Sequence, residues 1–378
     1  MHALQPTAAS SLSLPSGTYI YAIAEAPSSS AGRRQFAAIS SDDSLRIFDG
    51  RSLQPLTVVS AKTHEGVTSL NGTLPGFLAT AGRDGAVRLW DVRSGHASGK
   101  ADVEMKVVFS LERNAPILSL AGNPESYTIV AGTELVSSQA TVAIWDIRAP
   151  GETRQKYVEI HNDDVTELQF HPTRSNILLS GSTDGLVNLY DINTTDEDET
   201  LLQVINHGSI HHAGFLSEDA VFALSHDEVF SIHPITNPDS ETSDSPAPIQ
   251  FGDLRKPLGC EYVVQTLTNS NGTYLAAGNA SEKRLDILPI TSNPKWDFDY
   301  SSVWRLPGAH GEEIVRAVHL DEQSQTVFSG GEDGFVRAWR SDSSVGNDMH
   351  IEEDPSGINS ARSKDKKRVK DEKRFKPY

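Results

Sequence analysis

Three segments of this chain repeat one phrase: Asp84-Gly85-Ala86-Val87-Arg88-Leu89-Trp90, Asp184-Gly185-Leu186-Val187-Asn188-Leu189-Tyr190 and Asp333-Gly334-Phe335-Val336-Arg337-Ala338-Trp339. In each, an Asp-Gly pair precedes an apolar run whose aromatic stands six residues after the aspartate. Small and apolar residues lead into each pair: Leu78-Ala79-Thr80-Ala81-Gly82, Leu178-Leu179-Ser180-Gly181-Ser182 and Val327-Phe328-Ser329-Gly330-Gly331. Two short strands joined by a tight turn fit this arrangement, because Gly supplies the positive φ that such turns demand. A histidine lies upstream each time (His64, His161, His310), at 20, 23 and 23 residues before its aspartate. A repeated unit constrains a chain more than composition does, since the fold has to be assembled from copies of one module.

Degenerate copies fill the intervals. Ser41-Asp42-Asp43-Ser44-Leu45-Arg46-Ile47-Phe48 fits without its glycine, and Ala131-Gly132-Thr133 followed by Thr141 to Trp145 fits with an enlarged turn. A weaker copy runs from His226-Asp227-Glu228-Val229 to His233, and the weakest from Ala276-Ala277-Gly278-Asn279 to Leu288. The closing positions (Phe48, Trp90, Trp145, Tyr190, His233, Leu288, Trp339) are 42, 55, 45, 43, 55 and 51 residues apart. Seven units of this size match the four-stranded blade of an all-β propeller, a ring that leaves only short strand edges exposed. The last unit ends near Arg340 with three strands, so residues before Gly17 are expected to supply the missing outer strand and close the ring. The expected organisation is a propeller over 1–342, a flexible Asp/Ser/Pro/Thr-rich insertion at 236–256, and a disordered basic tail at 343–378.

Composition restricts the function. Of 378 residues, 37% are hydrophobic and 22% charged, which is globular. No apolar run approaches the roughly 20 residues of a membrane helix, and residues 1–17 lack the pattern of a secretory signal, so no membrane partner is expected. The single cysteine, Cys260, makes neither an internal disulfide nor a CxxC metal site. An intracellular home, nuclear or cytoplasmic, follows as the expectation, with the sequons at Asn71, Asn193, Asn271 and Asn279 left as chance matches. Residues 362–378 carry nine Lys/Arg against Asp365, Asp371 and Glu372, a net +6, which leaves −24 on the rest of a chain of formal charge −18. An acidic body repels phosphates and favours basic partners.

The repeated phrases resemble the WD40-repeat family. Trp90-Asp91 and Trp145-Asp146 are its signature dipeptides, and His64, Asp84 and Trp90 fall where its structural hydrogen-bond network lies. The resemblance covers residues 19–340 and weakens where His233 and Leu288 replace the usual tryptophan. The run from His161-Asn162-Asp163-Asp164 through Asp184-Gly185 to Asp191-Ile192-Asn193 is similar, more narrowly, to the WD repeat-containing protein 89 family, as are Ser225-His226-Asp227-Glu228 and Ser329-Gly330-Gly331-Glu332-Asp333. The resemblance implies a propeller and no defined activity.

His161, Asp184 and Ser180 have the residue types of a hydrolase triad. The same trio recurs in several units at one register, whereas an enzyme needs one nucleophile. Intrablade hydrogen bonding accounts for the repetition, with His161, His310, Asp184, Asp333, Trp145 and Trp339 as structural residues beside His64, Asp84 and Trp90. Neither a phosphate loop, a nucleophile elbow nor HExxH is present, and the reading is of a non-enzymatic, monomeric binding scaffold with no catalytic residue, cofactor or metal. The resemblance places Glu65, Asp163, Asp164, Glu312, Glu313 and Glu332 on the top face around the central channel. Carboxylates there suit a Lys/Arg-rich protein segment, as in an escort for a ribosomal protein or histone; solvated turn acids are the plain alternative.

Two further signals remain open. Residues 77–93 resemble the box of cullin-RING ubiquitin-ligase substrate receptors, with Arg93 and Arg148 as adaptor-docking candidates; the alternative is a surface arginine after a blade. The tail residues Lys364, Lys366, Lys367, Arg368, Lys370, Lys373 and Arg374 read as a nuclear localisation signal, as a tether to RNA, as a solubilising end, or as a cover for the acidic top face. The acidic loop 196–199 reads as a solvated loop with a phosphorylatable threonine beside it.

Overall fold

The computed structural model describes residues 1–27, 34–92, 104–111, 114–149, 151–236, 246–293 and 295–341. Seven sheets, each with an antiparallel four-stranded body, follow one another along the chain. Blade one is built from Ile20–Ala26, Gln35–Ser40, Leu45–Asp49 and Pro55–Ser60, running from the channel outward, and the later blades repeat the order. The inner strands touch their neighbours around the ring, from Ile20–Ala26 through Val67–Asn71, Ile117–Asn123, Val165–Phe170, Ile210–Ser217 and Tyr262–Asn269 to Val315–Asp321, which packs back on Ile20–Ala26. The seven-bladed propeller expected from the repeat is the fold.

All seven closing positions occupy one place in it. Phe48, Trp90, Trp145, Tyr190, His233, Leu288 and Trp339 stand on third strands opposite Phe36, Leu78, Ile129, Leu178, Val221, Leu275 and Val327 of second strands. His233 and Leu288 therefore mark blades five and six in register, without a tryptophan. The second strands are buried along all or nearly all of their length, so both faces take mostly small or apolar residues, and their side chains fill the seams between blades. Phe36, Phe48 and Phe328 fill the seam between blades seven and one; Phe109, Ile129 and Trp145 fill that between two and three. Each such side chain contributes on the order of 1.5–3 kcal/mol by leaving water.

The ring closes as the sequence requires. Gln5–Ser10 pairs antiparallel with Val336–Arg340 and becomes the outer strand of blade seven, despite Pro6. A proline is tolerated there because this strand is an edge. The first residues add a feature the repeat does not announce: His2–Ala3 runs parallel to Trp304–Pro307 and extends blade six. One boundary changes. Within 236–256, expected as a flexible insertion, Ile249–Asp253 pairs with Val229–Pro234 as the outer strand of blade five, and Arg255–Leu258 forms a helical turn. The Pro-rich composition hid a short edge strand, which needs only one paired side. Residues 237–245 and the tail 342–378 lie outside the described residues.

Candidate functional site: the top of the ring

Strands alternate in direction within each blade, so two sets of loops share each end of the channel. At the end we call the top lie the crossovers entering the inner strands and the turns joining second to third strands. The acidic residues singled out by sequence fall on these segments. Glu65 precedes the inner strand Val67–Asn71, Asp163 and Asp164 precede Val165–Phe170, Glu312 and Glu313 precede Val315–Asp321, and Glu332 follows the second strand Thr326–Gly331.

They are not equivalent. Glu65 is 83% exposed and faces Lys62 at 3.8 Å; Glu312 is 78% exposed and pairs with Lys283 at 3.0 Å; Glu313 is exposed. Asp164 is occupied structurally, accepting the Leu135 amide at 2.7 Å across to blade three, and Asp163 accepts the Asp164 amide at 2.9 Å. Glu332 is held by the Arg316 guanidinium through both Nε and Nη2. Exposed negative charge is thus concentrated on Glu65, Glu312 and Glu313, where water screens it strongly.

Beneath this rim lie the repeat histidines, and their geometry decides the triad question. Trp90 Nε1 donates to Thr80 Oγ1 at 2.9 Å, Thr80 Oγ1 lies 2.8 Å from His64 Nε2, and His64 Nδ1 lies 2.8 Å from Asp84 Oδ1. An indole only donates, so the threonine hydroxyl is free to donate to Nε2, leaving the Nδ1 proton for the aspartate. Burial holds the His64 pKa below its ordinary value. Burial also acts to raise Asp84, but the hydrogen bonds from His64 and Arg88 outweigh it and leave Asp84 lowered. Blade seven repeats the chain through Trp339, Ser329, His310 and Asp333 at 2.9, 2.8 and 2.7 Å. Blade four has His161 between Ser180 at 2.7 Å and Asp184 at 3.0 Å, with the fully buried Tyr190 in the tryptophan position, edge-on to Tyr157. Ser180 and Ser329 are both sealed from solvent, so no substrate reaches these serines; the trios tie second and third strands to the incoming loop.

The channel wall carries groups the repeat pattern did not mark. A cavity of about 570 Å³ opens among inner strands near the top, lined by Tyr21, His211, His212, Glu228, Tyr262 and Arg316. It lies where the inner strands of blades five and six make their slightest contact. His212 is held between Glu167 Oε2 at 2.8 Å and the Val264 carbonyl at 3.0 Å. His211 packs against His212 and His226, and burial followed by these neighbours brings its pKa down to about 3. Among the described residues, no group of three or more His, Cys, Asp or Glu is arranged to hold a metal ion.

One docking candidate, Arg148, lies at the other end. Arg148 follows the third strand Ala140–Asp146 at the bottom; it clasps Asp146 at 2.9 and 2.6 Å and lies over the Tyr127 ring. Arg93 lies outside the described residues, as do Lys364, Lys366, Lys367, Arg368, Lys370, Lys373 and Arg374. The third strand Val336–Arg340 also ends at the bottom, so the described chain stops at Ser341 on the face opposite the acidic rim.

The family model described as "WD domain, G-beta repeat" matches residues 54–91, 152–191 and 301–340. Each match begins around the outer strand of one blade and ends with the third strand of the next, the offset that obliges the N-terminus to complete the final blade. The chain is 38% identical to "Uncharacterized WD repeat-containing protein YNL035C" of Saccharomyces cerevisiae, over 66% of this chain and 65% of the yeast chain. It is 34% identical to "Uncharacterized WD repeat-containing protein C63.06" of Schizosaccharomyces pombe, over 74% and 84% of the two chains. It is 24% identical to a "WD repeat-containing protein 89 homolog" of Dictyostelium discoideum, over 74% and 72%. Propellers of this kind are typically non-catalytic scaffolds for protein–protein interaction. Repeat, register, ring closure and relatives agree: this chain belongs to the WD-repeat protein family.

Proposed function

We propose that the top of the ring holds a lysine- and arginine-rich segment of a partner protein, so that the chain acts as a scaffold or escort for a basic protein such as a ribosomal protein or histone. The observation that supports this reading is the exposure of Glu65, Glu312 and Glu313 on crossovers of two different blades at one end of the channel. A body of charge −24 adds long-range attraction, which speeds encounter and weakens with salt. Residues 362–378 serve as a nuclear localisation signal in this reading.

Affinity purification of the full chain beside an E65Q, D163N, E312Q, E313Q variant, followed by mass spectrometry, tests it. Glu332 and Asp164 are left intact because Arg316 and the Leu135 amide depend on them. A basic protein recovered with the native chain and lost with the variant is the expected result. Unchanged partners overturn the reading, and recovery of a cullin adaptor in their place moves the function to a ubiquitin-ligase substrate receptor. A fluorescent fusion lacking 362–378 is expected to leave the nucleus; retention there assigns the tail another role.

A further inference from the structure

The turns between second and third strands share a position that is Gly85, Gly185 and Gly334 in blades two, four and seven, each at positive φ. In blade five that position is Glu228, with φ 60° and only 7% of its surface exposed. A side chain in this conformation is strained where glycine is not, and a buried carboxylate adds a desolvation cost. Blade one also lacks the glycine, but Asp43 (φ 63°) accepts the Val67 amide at 2.8 Å and locks blade one to blade two. Glu228 likewise takes an inner-strand amide of the next blade, that of Val263, but its Oε2 is buried and has no hydrogen-bond partner.

Glu228 is also in the wall of the cavity at the channel mouth. The other charged groups there are matched: Arg316 holds Glu332, and Glu167 faces His212. His211, its pKa near 3, is neutral at physiological pH. Glu228 keeps one carboxyl oxygen without a partner, and burial pushes its pKa upward against the opposing pulls of the Val263 amide and the Arg255 charge. Tyr21, 40% exposed, and Tyr262 line the same cavity.

We infer that this cavity receives one lysine or arginine side chain of the basic segment, with Glu228 as its counter-ion and Tyr21 as its aromatic wall. The inference rests on the basic-segment reading above and narrows it from a diffuse acidic rim to one anchoring position. A cationic head group supplies the donors that Oε2 lacks; the terminal torsion of glutamate is soft, so a modest rotation turns either oxygen to the ligand. The rim acids then attract, while the buried carboxylate selects, because a charge-assisted hydrogen bond away from water is stronger than an exposed ion pair.

The test is fluorescence anisotropy on the full chain with a labelled Lys/Ser peptide and a series in which each lysine in turn becomes norleucine. One position is expected to dominate, its loss weakening binding about tenfold or more. In E228Q, which keeps the shape and removes the charge, that dominance disappears; Y21A, at an exposed site, reduces it. Thermal melts of the variants confirm folding. A flat series with the native chain, or an E228Q profile identical to native, overturns the anchor while leaving rim binding intact. Absence of any peptide binding by the native chain overturns both readings.

Discussion

Blades seven and five are the same module with opposite uses of polar groups. In blade seven the turn carries Gly334, and Trp339, Ser329, His310 and Asp333 form one closed chain of hydrogen bonds. In blade five the turn carries Glu228. His233 replaces the tryptophan, and Ser231 bridges His233 at 2.8 Å and His207 at 3.1 Å. The first blade satisfies its polar groups internally and closes tightly; the second leaves a buried carboxylate oxygen unsatisfied beside a cavity. Departure from a repeat is informative where it raises the free energy of the fold without an internal compensation, since such positions serve something other than folding.

Four measurements sharpen or break that contrast. The largest effect is expected for W339A, which empties a fully buried site shared by blades six and seven and should cost about 3–5 kcal/mol in denaturant unfolding. H233A in blade five should cost clearly less, and equal losses would dissolve the distinction between the blades. Next, S329A leaves both the Trp339 indole N–H and His310 Nε2 without their shared partner, for a loss of about 2 kcal/mol or more. S231A should lose about 1 kcal/mol, because His207 keeps its bond to the Val229 carbonyl.

The turn substitutions should differ in sign. A Cβ on Gly334 would meet the Thr18 carbonyl oxygen at 2.5 Å in a backbone at φ 77°, so G334A should destabilise by more than about 1 kcal/mol. E228G restores the residue suited to φ 60° and removes a buried carboxyl, so its melting temperature should stay level or rise. A marked loss in E228G would reassign Glu228 to holding blades five and six together.

The smallest effect concerns pH. Burial, the leading cause in each case, brings His211 to about 3 and His319 to about 4 and lowers His171 and His233, all against an ordinary value of 6.5. His319 lies edge-on to Phe36, with Asp321 raising and Arg34 lowering its pKa. Below pH 6.5 the unfolded chain takes up protons that the folded ring refuses, so this stability is complete above 6.5 and is lost as pH falls toward 4. Melting temperature should therefore drop between about pH 7.5 and pH 5, and H319Q should flatten the drop.

The acidic rim shows where a single sequence stops being legible. Glu65, Asp163, Asp164, Glu312 and Glu313 could be located after the repeat histidines and Glu332 before the turn aspartate, and all reach one end of the channel. Their availability could not be read, because Arg316, Lys283 and the Leu135 amide that engage three of them come from different stretches of chain. Glu228 was visible only as part of a weak repeat. Its misfit could have been noticed by aligning Asp227-Glu228 with the Asp-Gly turns, but its burial follows from the neighbouring blade.

By itself the sequence determined the module, its number and its register, since strand period, and the turn glycines and aromatics of the units that keep them, are local properties. It also implied closure by the N-terminus, because an open blade leaves an unpaired edge. The tertiary structure alone decided which polar groups are matched. Pairing and burial depend on how seven wedges meet around an axis, and the Glu228 oxygen left over at the channel mouth is decided by no single repeat.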